Sequence, residues 1–511
     1  MKPNDNLFRL IKSLDKNEKG YFKKQAQSYS REKDQNYMKL FDAIDSQEDY
    51  NEEALLKKFR NEPFAKQFSV AKSYLWELLL KTQRNYRAGT SKFMRLNALM
   101  ENGEVLFEKG LYEEAAKMWE KANELATAYD EKAFMLDIEA WKRRYYVDLR
   151  ADLWDENVIP SFHRTEKLID DISGTFEIQK IYFQIAKFIK TQPYFRTEEQ
   201  KQEWEKILDQ PILFHENEPA DFYGKLYFNC IHSTFHNLSG HGKENQFYQK
   251  KIIELWESNP ALIEVEPIRY IAAVSNYLGS LSKFGNNEEF ISFVEQFEPP
   301  QLHSISQKAI YFEHWWMWKE ITFRLRVDME GFGKFIDETN EDILRYKPFI
   351  NKVRWMLIRF ETANYYFSVN QIPSALEILD ELMDTKDIDL RKDIQAHVRL
   401  LYLVAHYELE NNLILESISR SAKRYLQQKD FYYTTERIFL KHFNKLIYSA
   451  DKKETQQIIH AMLEEIESQL AGNEKERQAF ANFNLTNWIR AKAKGISISE
   501  VIKQEMQENQ I

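Results

Sequence analysis

The stretch CIHSTFH comes closest to a reactive or metal-binding set in this 511-residue chain. It holds Cys230, His232 and His236, with His241 five residues on. His232 and His236 are one helical turn apart, a spacing that puts two imidazoles on one face and can hold a metal ion. A catalytic zinc also wants a third ligand and a general base. The HExxH order does not occur, and Cys230 falls on a different face from the pair. A cysteine nucleophile needs an activating histidine in contact, and His232, two residues away, points elsewhere on a helix. These side chains read as core or boundary residues. The two glycine pairs, GHG at Gly240–Gly242 and GFG at Gly331–Gly333, read as turns. Neither follows a strand, position 336 is Ile where GxGxxG needs glycine, and no GxxxxGK[ST] occurs. No catalytic constellation assembles, so the expectation is a non-enzyme without metal or cofactor.

Three other groups of residues suit binding. WKRRYYVDLR puts Arg143, Arg144 and Tyr146 off the apolar stripe of Phe134, Ile138, Trp141 and Tyr145. Such a face either grips carboxylates or is simply solvated. YFEHWWMWKEITFRLR, residues 311–326, offers Trp315 and Trp318 as an aromatic wall. The alternative is an inner helix packed on both sides, with Glu313, Glu320 and Arg324 on its one polar strip and Glu320 ordered to pair with Arg324. Near the amino end, Lys66, Lys72, Lys81, Arg84 and Arg87 lie along one predicted helix, placed either for nucleic-acid phosphates or for the helix carboxyl end.

Helices must position all of these. Glycine (14) and proline (12) are scarce, aromatics reach 14%, and apolar residues recur at three and four rather than alternating. This predicts an all-α protein. The single cysteine rules out an intrachain disulfide. The first residues lack a signal-peptide pattern, and no run of about 18 apolar residues occurs. A cytoplasmic location is the expectation. Residues 1–90 carry 18 Lys and Arg against 13 Asp and Glu, while the remainder carries 53 against 67, a mildly basic head on an acidic body.

The stretch EKGLYEEAAKMWEKANELA, residues 108–126, resembles the tetratricopeptide repeat. Leu99, Gly103 and Leu106 stand on a first helix and Gly110 and Tyr112 at the turn. Ala115, Trp119 and Ala122 stand on a second helix. Gly103 and Ala115 read as small because two helices cross there, with Trp119 filling the gap to the next pair. RFETANYYFSVNQIPSALEILDELM resembles the pattern more weakly, with Ala363, Tyr366, Ala375, Leu379 and Leu382, and Asn370 in place of the turn glycine. Turn signals continue at Gly110, Asp152, Pro193, Gly240, Gly285, Gly331, Asn370, Asn411 and Asp451, between 39 and 47 residues apart. That spacing suits two helices and two short turns.

The resemblance implies an all-α superhelix of about nine tetratricopeptide-like hairpins over residues 91–475, whose concave surface binds a protein or peptide. Residues 1–88 read as a helical cap or separate head, with helices near 5–14, 17–28, 35–45, 52–60 and 64–86. LIKSLDKNEKGYFKK and KQFSVAKSYLWELLLKTQR there resemble uncharacterised bacterial helical-repeat proteins. Residues 476–511 read as capping helices that bury Phe480, Phe483, Trp488 and Ile489 and stop at Gly495. A second expectation is a regulator whose basic head binds nucleic acid while the solenoid senses a peptide or protein.

Overall fold

The computed structural model describes residues 5–28, 32–87, 89, 91–149, 151–191, 198–384, 392–429, 432–472 and 484–508. Pro193, Phe480 and Phe483 lie outside them. Every element among the described residues is helical, and none is a strand.

The chain begins with α1 (Asn6–Ser13), α2 (Lys16–Ser28), α3 (Glu32–Asp45), α4 (Glu52–Lys58) and α5 (Phe68–Arg87). Local chemistry sets these starts. Asp15 accepts the Glu18 amide at 2.8 Å while the Glu18 carboxylate accepts the Asp15 amide at 2.9 Å, a reciprocal cap on α2. Asn51 caps α4 by accepting the Ala54 amide at 2.9 Å. The five helices enclose their own apolar core, which includes Leu7, Ile11, Phe22, Phe41, Ile44, Leu75 and Leu79. One expectation is corrected here. Lys66 is not on the helix with the other basic residues, because Pro63–Gln67 forms a separate 3-10 turn before α5 starts.

Longer helices follow: α6 (Lys92–Glu108), α7 (Tyr112–Ala128), α8 (Lys132–Leu149), α9 (Ile159–Thr191), α10 (Glu198–Leu208), α11 (Phe222–Leu238), α12 (Gly242–Glu257), α13 (Pro260–Val265), α14 (Pro267–Lys283), α15 (Asn287–Gln296) and α16 (Ile305–Arg326). Then come α17 (Met329–Tyr346), α18 (Lys352–Ser368), α19 (Ile372–Met383), α20 (Lys392–Glu408), α21 (Asn412–Gln428), α22 (Thr434–Ile447), α23 (Lys452–Gly472), α24 (Asn484–Lys494) and α25 (Ile498–Glu508). The chain divides into two compact units, Met1–Tyr311 and Phe312–Ile511.

The same turn recurs. Gly240, Gly285, Val327, Asn370 and Glu410 all have positive φ, and each ends one long helix just before another begins. They are 45, 42, 43 and 40 residues apart. In each case the next residue donates its amide to a carbonyl five residues back. These bonds are His241 to His236 (2.9 Å), Asn286 to Leu281 (2.9 Å), Asp328 to Phe323 (3.0 Å), Gln371 to Tyr366 (2.8 Å) and Asn411 to His406 (3.0 Å). This is the bond that closes a helix through a left-handed residue. Gly110 makes the same turn between α6 and α7. Gly331, expected at a turn, is instead inside the first turn of α17, and Val327 takes the left-handed position. Gly331 is small for another reason: its amide donates to the capping carboxylate of Asp328 at 2.8 Å, and a Cβ would lie 2.2 Å from that carboxylate.

Packing explains the motif residues. A Cβ on Gly103 would stand 2.3 Å from the Trp119 indole nitrogen. Trp119 is fully buried with Ala115 and Ala122, and its ring stacks on Trp141 of α8, with centroids 4.9 Å apart. In the second unit, Ala363, Ala375, Leu379 and Leu382 are buried in one core with Phe439, Phe443, Trp488 and Ile489. Gly495 ends α24 with φ of 66°.

Candidate functional site

The arginine face of α8 divides in two. Arg143 turns toward α9. It donates to Ser161 Oγ (3.0 Å) and Thr165 Oγ1 (2.7 Å), and its guanidinium lies 4.9 Å over the Phe162 ring. Arg144 stays exposed. Its guanidinium sits 5.2 Å over Trp141 and 5.3 Å over Phe107, with Asp148 a loose 3.9 Å away. Tyr146 is half-buried, its ring edge-on to Tyr145. A planar cation laid on an aromatic wall keeps its outer edge for a carboxylate or phosphate.

The tryptophans on α16 belong to the second unit. Trp315 is half-buried against Phe335, with centroids 5.2 Å apart. Trp316 is fully buried and its indole donates to Thr339 Oγ1 at 3.2 Å. Trp318 is only 4% exposed, so it packs inside the helix layer instead of facing an open groove. The expected Glu320–Arg324 pair forms at 3.2 Å. Of the polar strip only Arg324 is exposed, since Glu313 and Glu320 are both buried. Glu361 of α18 adds a second carboxyl beside Glu320. Burial, reinforced by the Glu320 charge, raises the Glu361 carboxyl to about 8, against the Arg324 charge and a 3.3 Å hydrogen bond from Asn364. A neutral acid at physiological pH resolves the clash of the buried Glu320 carboxylate with the half-buried Glu361.

The histidines gather around one tyrosine. The rings of His215, His232 and Tyr248 are mutual neighbours, with centroids 5.2, 5.0 and 6.0 Å apart, and His236 lies 5.6 Å from Tyr248 on centroids. The Tyr248 hydroxyl bonds His215 Nε2 at 2.9 Å, and His232 Nε2 donates to the Leu213 carbonyl at 3.1 Å. Burial lowers the His232 imidazole to about 4, which keeps it neutral. Burial pushes the Cys230 thiol up to about 12, far from a reactive thiolate. Among the described residues no group of three or more His, Cys, Asp or Glu is placed to hold a metal ion.

The basic residues of the head are only partly presented. Lys72 is paired with Glu52 at 2.6 Å and reaches the Tyr50 hydroxyl at 3.2 Å. Lys66, Lys81, Arg84 and Arg87 are exposed, and Arg84 and Arg87 occupy the last turn of α5, where they complement the helix dipole.

Sequence reasoning missed the densest polar constellation. It gathers the starts of α6, α8, α11 and α14. Lys92 pairs with Glu131 at 2.7 Å and with Glu266, and it donates to the Tyr223 hydroxyl at 2.7 Å. That hydroxyl donates to Glu266 at 2.9 Å, and Arg269 pairs with Glu266 at 2.8 Å. Arg95 pairs with Glu264 at 2.7 Å. Lys132 pairs with Asp130 (2.9 Å) and Asp221 (3.2 Å), and Asp221 caps α11 through the Gly224 amide. Burial works against the Glu266 carboxylate, but the Lys92 bond and the Arg269 charge outweigh it and hold the group below its ordinary value. These charges answer one another, so the constellation is a clasp between helices. One signal for it was available. Lys92 and Lys132 each open a helix, where a cation opposes the dipole, which calls for acids from elsewhere. Among the described residues no helix is long and apolar enough to cross a membrane. No protein-family model, curated protein or solved structure matches this chain.

Proposed function

We propose that this chain is a non-catalytic helical-repeat scaffold that binds a protein or peptide. In this reading, tetratricopeptide-like hairpins stack into a superhelix between a helical head and carboxyl-terminal capping helices. The observation that carries it is the recurring turn, the same left-handed residue and five-back hydrogen bond every 40 to 45 residues from Gly240 to Glu410. Helical hairpins that repeat at a fixed period bury their faces on their neighbours and build extended binding surfaces. The step from this architecture to binding rests on that general property of repeat stacks. The best-placed contact is Arg144 on Phe107 and Trp141, which suits an acidic side chain or a terminal carboxylate of the ligand.

The experiment is a pull-down from native lysate with tagged wild-type and Arg144→Ala protein, with and without nuclease, read by mass spectrometry. A stoichiometric protein that survives nuclease and is depleted by Arg144→Ala is the expected result. Recovery that vanishes with nuclease would overturn it in favour of nucleic-acid binding through Lys81, Arg84 and Arg87.

A further inference from the structure

Helix α9 runs 33 residues, about 50 Å. Its inner side is buried through Ile178, Ile181 and Ile185, and it packs on α8 and α11. Its outer side is unusual. Phe162, Ile169, Phe176 and Phe183 are 51, 52, 58 and 58% exposed. They are spaced seven residues apart throughout. Glu166, Ser173 and Lys180, all exposed, fall between them, so the full stripe steps by four and three along the helix. This is the spacing of a helix that packs lengthwise on another helix. The stripe drifts by about 20° per seven residues, which suits a shallow left-handed crossing.

We propose that the outer face of α9 pairs, antiparallel, with the same face of a second copy of this chain. Charge placement favours this occupant. Glu166 lies seven residues before Ser173 and Lys180 seven after. A twofold axis at Ser173 therefore sets each Glu166 against the partner's Lys180, twice per dimer. It also sets Phe162 by the partner's Phe183 and Ile169 by the partner's Phe176, to within one residue. The small Ser173 stands at the crossing, where two backbones come closest. A parallel pair would face glutamate with glutamate and lysine with lysine. The isologous, self-complementary arrangement is the one that closes at two copies.

Size is consistent with a modest dimer. Each of the four apolar side chains leaves on the order of 100 Å² open, given the roughly 150–250 Å² an aromatic side chain can bury. Eight such residues supply about 800 Å², and the stems of Glu166 and Lys180 bring the total near the lower end of the roughly 1,200–2,000 Å² of specific interfaces.

The test is the mass of the full chain by sedimentation or light scattering, up to about 100 µM. Wild type is expected to go from monomer to dimer across that range. Phe176→Ser, Glu166→Lys and Lys180→Glu should each weaken the dimer about tenfold or more, because by symmetry each change acts twice. The double variant Glu166→Lys with Lys180→Glu should restore it. Circular dichroism checks that each variant keeps its helices. A wild type that stays monomeric overturns the proposal. So does a dimer indifferent to both single reversals, or a double variant no better than the singles.

Discussion

Helices α16 and α9 have much the same kind of sequence, apolar residues on nearly every face, and opposite fates. From Phe312 to Phe323 no residue of α16 is exposed. Trp316 and Trp318 are buried, and Phe332 and Phe335 of α17 close over the Trp316 ring. Even its acids are inside. Helix α9 is covered on one side only and leaves a ladder of phenylalanines in solvent. A helix apolar all round calls for neighbours all round. Among the described residues α16 finds them and the outer face of α9 does not, so the sequence pattern measures how much cover a helix needs and says nothing about where that cover comes from.

The sharpest way to break this contrast is to truncate one ring on each helix. Trp316→Ala should cost about 4 kcal/mol in urea unfolding, the cavity and the lost burial together. Phe176→Ala should stay within about 0.5 kcal/mol at concentrations where the chain is monomeric. Equal costs would mean that α9 is as well covered as α16.

Next is the half-buried acid beside α16, Glu361. The folded chain holds the Glu361 carboxyl protonated up to about 8, whereas the unfolded chain releases that proton near the ordinary carboxylate value. Its contribution is therefore fully present below about pH 4.5 and is lost as pH rises toward 8. Glu361→Gln stays neutral throughout. It should match wild type near pH 4 and exceed it by about 4 kcal/mol at pH 8. Denaturation curves at the two pH values check this, and a pH-independent difference would show that Glu361 is ionised in the fold.

A smaller effect belongs to the turn that follows α16. Val327 is β-branched and sits at φ 57°, a conformation costly for such a side chain. Val327→Gly should raise stability by about 1 kcal/mol, while Gly285→Ala, at φ 78°, should lower it by a similar amount. Thermal melts of the two variants should move in opposite directions. The smallest effect is expected at Arg144→Ala, within about 0.5 kcal/mol in the same assay, since its side chain is exposed.

The turns show where sequence was legible and where it was not. Gly110, Gly240 and Gly285 could be read because glycine is the usual left-handed residue. Val327 could not, since nothing in a valine announces positive φ, and the nearby Gly331 drew the assignment to itself. The helices of the head were legible from periodicity, apart from the 3-10 turn that sets Lys66 off. At the candidate site, periodicity sets Arg144 off the stripe that holds Trp141, and only the structure shows its guanidinium laid over that ring. Arg143 was not separable from Arg144, because its partners Ser161 and Thr165 lie 18 and 22 residues on. Glu313 and Glu320 are legible as the polar strip of an inner helix, but a carboxylate is ordinarily at the surface. Only the neighbouring helices reveal that they are inside.

The charged clasp bears on how the first unit folds and melts. Helices that touch only their sequence neighbours form a row, and a row loses structure from its ends. The Lys92–Glu266 pair spans 174 residues and joins the start of α6 to the start of α14. Closing so long a loop is slow and entropically costly, so the clasp should form late, after the helices it links have stacked. Once shut, it gives the amides of α6 through α14 a shared opening event in hydrogen exchange. A row whose ends are joined has no free end from which to fray.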